Sequence, residues 1–228
     1  MADLRRAVLW WGFRALCRTV AGLGRALYGL EAEGLEHLPR TGPLVVVCRR
    51  ISRVDFFAPA LFCTLVRGEF SGITSAMAVS NSRLLASAAE SMGILANLKG
   101  AGLSAMPLLT AYKMLKQGKI LLLADEGEVP WDGRLQPLRA GAAWLALRTH
   151  APVVAGMVHG GYDAWPRWAR GPRRGAKLTM RFSEPFHLAD RAWDRVTPAM
   201  IEAGNRRLVE ELATLSRGYM LRRQRVSA

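Results

Sequence analysis

Short apolar runs alternate along the chain with stretches of helical periodicity. Residues 44–48 form a continuous apolar run after Pro43, and residues 120–124 form another after Gly118 and Lys119. Runs bounded in this way are typical of parallel strands that are covered on both faces. Residues 104–116 instead carry apolar side chains at helical spacing and end just before Gly118. The alternation predicts an α/β layered fold with a largely parallel sheet flanked by helices.

The same two patterns divide the rest of the chain into elements. Strands are predicted at residues 30–35, 44–48, within 70–79, at 93–98 (strand or extended turn), 119–124, 153–158 and 177–182. Helices are predicted at residues 4–29, 55–65, 82–92, 104–116, 140–149 and 198–215. There is no internal repeat or interdomain linker, so we expect one α/β domain over residues 30–228, preceded by a helix over residues 1–29.

The N-terminal helix is predicted to be amphipathic. Trp10, Trp11 and Phe13 lie beside Arg14 and Arg18, a combination that suits a helix lying in a lipid interface. Packing of the same helix on the protein's own core is the alternative. Its longest charge-free run, residues 7–13, is far shorter than the ~20 apolar residues of a spanning helix. We therefore expect peripheral association with the cytoplasmic face of a membrane.

The charge balance narrows the possible partners. Lys and Arg number 32 against 18 Asp and Glu, which gives a net charge of +14. Such an excess favours an anionic partner, either nucleic acid, anionic lipid or a phosphorylated substrate, although an arginine-biased composition alone would also produce it. The three cysteines form no C-x-x-C pair and the four histidines are scattered, so neither a disulfide framework nor a metal site is expected.

Polar segments follow two of the predicted buried strands. The first, residues 49–57, reads RRISRVDFF; the second, residues 125–142, reads DEGEVPWDGRLQPLRAGA. Ligands of open α/β sheets bind at the carboxyl ends of the strands, where both segments begin. In the second segment, Arg134 and Arg139 are candidates for holding a phosphate, together with backbone N–H groups at the start of the next helix.

In these segments the chain resembles the glycerophospholipid acyltransferase family, whose best-known members are the lysophosphatidic acid acyltransferases. The first family motif is N-H-x-S-x-x-D after a buried strand. Ser52 and Asp55 match it at the correct spacing, and Arg50 stands where the family has histidine. The second motif, a glycine followed by an apolar run and a basic residue, matches the segment from Gly93 to Lys99.

The third family motif, F-P-E-G-T-R-S followed by G-x-L-x-P-F-K-x-G, is matched in part. Glu126 and Gly127 match, and residues 133–141 match the second half closely, whereas Glu128 and Val129 replace the threonine and the arginine. The fourth motif, a proline before an apolar strand, matches residues 152–154. Four motifs in order over about residues 30–190 are specific together, although each is weak alone.

The resemblance implies transfer of a fatty acyl group from acyl-CoA or acyl carrier protein to the hydroxyl of a lysophospholipid-type acceptor, without a further cofactor. In the family, the histidine takes the hydroxyl proton, the aspartate orients the imidazole, and the arginine after the E-G pair binds the acceptor phosphate. The implied catalytic positions are Arg50, at the histidine position, and Asp55. The implied substrate-binding residues are Lys99, Glu126, Gly127, Arg134 and Arg139.

Arg50 contradicts the usual mechanism, because a guanidinium stays protonated and has no lone pair to accept a proton. We expect Arg50 and Asp55 to form an ion pair, Ser52 to cap the following helix, and His159 to be structural rather than a substitute base. A non-catalytic lipid-binding or scaffolding relative, a pseudoenzyme, is therefore the alternative to an impaired acyltransferase. A nucleic-acid binder is not favoured, since no recognition motif accompanies the charge.

Overall fold

The structure is a computed structural model that describes residues 2–68, 71–75, 94–97, 105–124, 129–132, 134 and 136–226. Its helices are α1 (Ala2–Tyr28), α2 (Val54–Arg67), α3 (Ala105–Lys116), α4 (Gly141–Thr149), α5 (Gly161–Ala164) and α6 (Pro198–Val226). Its strands are β1 (Glu31–Glu33), β2 (Leu44–Cys48), β3 (Ser71–Ser75), β4 (Ile94–Asn97), β5 (Ile120–Leu123), β6 (Val153–His159) and β7 (Thr179–Phe182), with a 3-10 turn at Leu35–His37. The predicted helix at 82–92 lies outside the described residues.

Within the described residues, the strands form one sheet in the order β1-β7-β6-β2-β5-β3-β4. Every neighbouring pair is parallel except β6 with β7. Strand β2 lies in the middle of the sheet, where Val45 pairs with Leu121 on one side and Val153 on the other. All residues of β2, β5 and β6 are buried, which is why these strands are continuous apolar runs rather than alternating ones. The predicted fold class is confirmed.

Helices cover the two faces of the sheet with different side-chain clusters. On one face, Val46 and Val154 pack with α2 through Phe56 and Cys63. On the other face, the odd-numbered residues of β2 and β6 pack with α3, α4 and α6. Successive side chains of a strand point to opposite faces, so the position of a residue along a strand decides which helical layer it contacts.

Strands β7 and β1 run opposite to the other strands of this largely parallel sheet. β7 runs antiparallel to β6, with Thr179 opposite His159. Strand β1 then lies parallel to β7, with Glu31 opposite Thr179. The start of β1 is therefore at the same edge of the sheet as the end of β6, and α1 ends at that edge. The final helix also continues to Val226, beyond the predicted end at residue 215.

The N-terminal helix has one side on the domain and another facing outward. Cys17 is buried, and Phe13 packs against the cluster that contains α2. Leu16, Leu23 and Leu27, which share one side of the helix, are 58%, 55% and 58% exposed, and Trp11 on a different side is 71% exposed. The helix therefore packs on the domain, and association of its exposed apolar side with lipid stays a prediction. In the described part of the chain, no helix is both long and apolar enough to cross a membrane.

Candidate active site

The first motif lies where the central strand of the sheet ends. Strand β2 stops at Cys48, and α2 begins at Val54 after a turn of five residues, 49–53. Within this turn Ser52 has no exposed surface, and Arg49 and Arg50 are 9% and 8% exposed. The turn belongs to the carboxyl edge of the sheet, where the ends of β5 and β6 flank it on either side.

The Asp55 carboxylate holds this turn in place from the first turn of α2. Its Oδ2 accepts hydrogen bonds of 2.6 Å from the backbone N–H groups of Ile51 and Ser52. Its Oδ1 accepts a 2.7 Å hydrogen bond from the Ser52 hydroxyl, which in turn accepts the N–H of Val54 at 3.2 Å. The N-cap of α2 is Arg53, so the expected cap at Ser52 is one residue off, although its hydroxyl does accept a helix N–H.

The expected ion pair between Arg50 and Asp55 is not found. Both residues are described, and no ion pair of 4.0 Å or less joins them, because local hydrogen-bond donors of the turn hold the carboxylate instead. Burial raises the pKa of Asp55 to about 7, while the hydrogen bonds from Ser52 and Ile51 and the positive charge of Arg50 act in the opposite direction. Arg50 is therefore an electrostatic neighbour of the carboxyl group.

Gly161 packs directly against the side chains of Asp55 and Ser52. It was not identified from the sequence as part of the site. A Cβ atom on Gly161 would meet the Asp55 Oδ1 and Ser52 Oγ atoms, so only a glycine fits between β6 and the motif. The preceding Gly160 has φ 76° and approaches the Lys177 carbonyl closely. Two adjacent glycines directly after a buried strand were the available signal for this close approach.

His159 does not replace the missing motif histidine. Its side chain lies on the α6 face of β6, with Met157 and Ala155, whereas Val158 and Val154 point to the α2 face. Burial and the nearby charge of Arg181 lower the pKa of His159 to about 4. All four histidines of the chain are described, and none donates a hydrogen bond to Asp55.

The third motif is described only in part. Glu126, Gly127 and Glu128 of this motif lie outside the described residues, as does Lys99 of the second motif. The side chain of Arg134 is 86% exposed and lies 3.5 Å from an Asp132 carboxylate oxygen. Arg139 is also exposed, and its carbonyl accepts a hydrogen bond from Asn205. The roles of all five substrate-binding residues stay predictions.

Val129 stands where the family has its phosphate-binding arginine, and it is buried. The Val129 side chain is 7% exposed, and its carbonyl accepts a 2.8 Å hydrogen bond from the Arg167 guanidinium. That guanidinium also lies over the Trp131 ring, 4.8 Å from its centroid. An arginine from the segment after β6 therefore reaches the third motif, which no motif of the sequence indicated.

The described geometry is that of an α/β protein whose polar turn follows the central strand of the sheet. A solved structure with this fold is the 1-acyl-sn-glycerophosphate (LPA) acyltransferase PlsC from Thermotoga maritima. It matches with a TM-score of 0.64 and 17% identity, over 93% of this chain and 83% of that one. At this identity the likeness establishes the fold.

A relative found by sequence similarity has the same named activity as the matched structure. A 1-acyl-sn-glycerol-3-phosphate acyltransferase from Limnanthes alba is 32% identical over 76 residues, which make up 33% of this chain and 27% of the relative. The chain thus aligns with about a quarter of that relative's length. No family model matches the chain. Together the two matches support the resemblance to lysophosphatidic acid acyltransferases that the motifs indicated.

The buried carboxyl group leads to a prediction about pH. Relative to an Asp55→Asn variant, the wild-type free energy of unfolding is expected to fall as pH rises from about 4 to about 7. Over this range the folded protein keeps a proton that the unfolded chain has lost, so raising the pH favours unfolding, by up to ~1.4 kcal/mol per pH unit. Urea unfolding of both proteins across the range measures the difference.

Only the change of that difference with pH is diagnostic, because asparagine also disturbs the hydrogen bonds to Ile51 and Ser52. The contribution of Asp55 should be complete below the ordinary carboxyl pKa of 3.8 and lost above about 7. A difference that stays constant across the range would mean that the carboxyl group titrates as it does in water.

Proposed function

We propose that this chain is a phospholipid or glycerol acyltransferase that acts on a lysophospholipid-type hydroxyl with acyl-CoA or acyl carrier protein as donor, and that Arg50 impairs it. The observation that carries the proposal is the Ser52–Asp55 pair at the end of β2, which keeps the spacing of the family motif. It lies buried at the carboxyl edge of the sheet in a fold like that of PlsC. The names of the two matched proteins agree with this assignment.

An apolar groove beside the motif supports the acyl part of the proposal. It lies between α1 and α2 and has a volume of about 360 Å³, within the usual range for ligand pockets. Val54, adjacent to Asp55, lines it, as do Phe57, Phe13 and Val20. An acyl chain in this groove would run from the motif along α2, with its methylene groups against apolar side chains.

The absence of a motif histidine limits the expected rate. A general base is typically worth ~10²–10⁴ in rate, and Arg50 cannot act as one. Asp55 is fully buried and engaged by three donors, so it is suited to positioning rather than to meeting a substrate hydroxyl. This last observation favours a second candidate, a non-catalytic lipid-binding or scaffolding protein of the same fold.

Transfer of radiolabelled acyl groups from acyl-CoA to lysophosphatidate by the purified chain tests the proposal. Slow transfer that depends on Asp55 is the expected result. Complete absence of transfer, with retained binding of lysophosphatidate, would favour the scaffolding candidate. Failure to bind either substrate would contradict both candidates.

We also propose that α1 attaches the protein to the cytoplasmic face of a membrane. One exposed side carries Leu16, Leu23 and Leu27, each more than half exposed, and the helix contains Arg14, Arg18 and Arg25. Apolar burial and attraction to anionic lipid together suit such a helix to the interface. Phe13 packs against the domain, so deleting residues 1–29 would also damage the core.

Substituting the exposed apolar residues of α1 is therefore a sharper test than deleting the helix. Leu16→Ser with Leu23→Ser and Leu27→Ser should weaken binding to anionic vesicles by about tenfold or more, since each apolar side chain contributes ~1.5–3 kcal/mol when fully buried. Vesicle flotation measures it. The matched control removes Leu109, Trp193 and Val209, which are exposed on other parts of the surface. Equal losses in the two triple variants would contradict a role for α1.

A further inference from the structure

The segment that joins β6 to β7 is rich in arginine and tryptophan. Residues 161–177 contain four arginines and one lysine but only one acidic residue, Asp163, and they carry two tryptophans. Arg170, Arg173 and Arg174 are exposed, as is Trp168, at 49%. No motif of the sequence covers this segment. Because β6 ends and β7 begins at the carboxyl edge of the sheet, the whole segment lies at the same edge as the first motif.

Guanidinium groups cover aromatic rings of this segment and its neighbour. Arg173 lies 4.1 Å from the centroid of Trp168, and Arg167 lies 4.8 Å from that of Trp131, which is 63% exposed. The hydroxyl of Tyr162 donates a 3.0 Å hydrogen bond to the Trp131 carbonyl and accepts one of 3.5 Å from the Trp168 indole N–H. These contacts fix the rings and the charges together. We name this the basic–aromatic surface: Trp131, Arg167, Trp168, Arg170, Arg173 and Arg174.

The basic–aromatic surface is tied directly to the first motif. Arg53, the residue before α2, donates its backbone N–H to the Trp165 carbonyl at 3.0 Å. Its guanidinium donates to the Arg167 carbonyl, also at 3.0 Å. Gly161, at the start of the segment, packs on Asp55. Any large group held at this surface is therefore held beside the motif.

We propose that the basic–aromatic surface docks on an anionic lipid bilayer and holds the candidate active site against its headgroups. Arginine neutralises lipid phosphates, and tryptophan is favoured at the depth where headgroups meet acyl chains. A nucleic acid fits less well, because bases stack on open ring faces and a guanidinium already covers a face of both Trp131 and Trp168. The proposal rests on the membrane-surface part of the proposed function and adds a docking surface separate from α1.

The test compares vesicle binding by the full chain and by an Arg170→Ser, Arg174→Ser double variant. Two sets of vesicles are used, one of phosphatidylcholine alone and one with phosphatidylglycerol added. Removing two charges near an anionic surface is expected to lower the preference for anionic vesicles about tenfold or more. Trp168→Ala should weaken binding to both sets, because it removes an apolar group as well as the support of Arg173.

Arg40→Ser with Lys116→Ser is the matched control. Both residues are exposed, and both lie at the opposite edge of the sheet, just before β2 and β5. This variant loses the same charge and should bind anionic vesicles nearly as the wild type does. Equal binding by both double variants, whether reduced or unchanged, would overturn the proposal. So would a preference for a single-stranded oligonucleotide over anionic vesicles that is lost in the Arg170, Arg174 variant.

The acyl-transfer assay separates this proposal from the proposed function. With a short-chain acceptor dissolved as monomers, the Arg170, Arg174 variant should match the wild-type rate, because no membrane needs to be engaged. If the wild type transfers no acyl group, the proposed function is contradicted. The preference of the wild type for anionic vesicles, and its loss in the Arg170, Arg174 variant, would still support the docking surface. Wild-type transfer together with equal vesicle binding by all variants would contradict the docking surface and leave the proposed function intact.

Discussion

Arg50→His is expected to increase acyl transfer from acyl-CoA to lysophosphatidate at least tenfold over the trace rate that we expect of the wild type. An ionised carboxylate offers about four lone-pair positions, and Asp55 uses three of them for Ile51 and Ser52. One position remains for an imidazole N–H, which would orient a neutral base toward the acceptor hydroxyl. Initial rates measured with the same substrates for both proteins check this.

The gain should stay below the full ~10²–10⁴ of a general base, because the third motif also departs from the family. Restoring its arginine at Val129 would bring a charged side chain into a buried position whose carbonyl already binds the Arg167 guanidinium. Like-charge repulsion and burial would both oppose that change. Glu128→Thr beside Arg50→His is therefore expected to help more than Val129→Arg, since it removes a negative charge from the motif proposed to bind the acceptor phosphate.

Arg50→Gln is the control for this series. It removes the positive charge near Asp55 but supplies no base, so its rate should remain at the wild-type level. If Arg50→Gln gains as much as Arg50→His, the effect comes from charge or space and not from a base. If the wild type is already fast and loses its activity on Asp55→Ala, with folding retained, another base serves this site.

Gly161→Ala is expected to lower the free energy of unfolding by about 3 kcal/mol, the upper part of the range for overpacking. The new methyl group would overlap the Asp55 Oδ1 and Ser52 Oγ atoms, which have no exposed surface into which to move. Displacing them would break the hydrogen bonds that hold the turn after β2. Urea unfolding at neutral pH measures the loss.

Gly171→Ala is the control within the same segment, because a Cβ atom there meets nothing within 4 Å. Its stability should be close to that of the wild type, or slightly higher because alanine has less conformational freedom when unfolded. Equal stabilities of the two alanine variants would show that α5 does not pack on the motif as described.

The sequence was sufficient for features that depend on local pattern. Apolar runs bounded by glycine or proline located β2 and β5, and the N-H-x-S-x-x-D spacing placed Ser52 and Asp55 just after a buried strand. The prediction of an ion pair between Arg50 and Asp55 was wrong for a physical reason. A buried carboxylate at a helix start takes the nearest backbone donors first, and spacing alone does not reveal that they are available.

Long-range contacts account for the rest of what the sequence did not reveal. The antiparallel direction of β7, the approach of Gly161 to Asp55 and the reach of Arg167 to Val129 each join segments far apart in the chain. Apolar periodicity carries no information on which distant segment a residue meets. In α1 the periodicity indicated both a lipid-facing and a core-facing helix, and the structure has a surface for each.

The edge strand β1 has a consequence for the order in which the molecule assembles. Its partner is β7, and the ion pair between Glu33 and Arg181 joins residues 148 positions apart. During synthesis the strand that anchors α1 must wait until Arg181 has left the ribosome, and closing so long a loop is slow. Until then α1 can pack on α2, which Phe13 contacts, but it lacks the support of β1 at the sheet edge. In a growing chain the N-terminal helix is therefore held by its contact with α2 alone until Arg181 has been added, and this edge of the sheet is completed late.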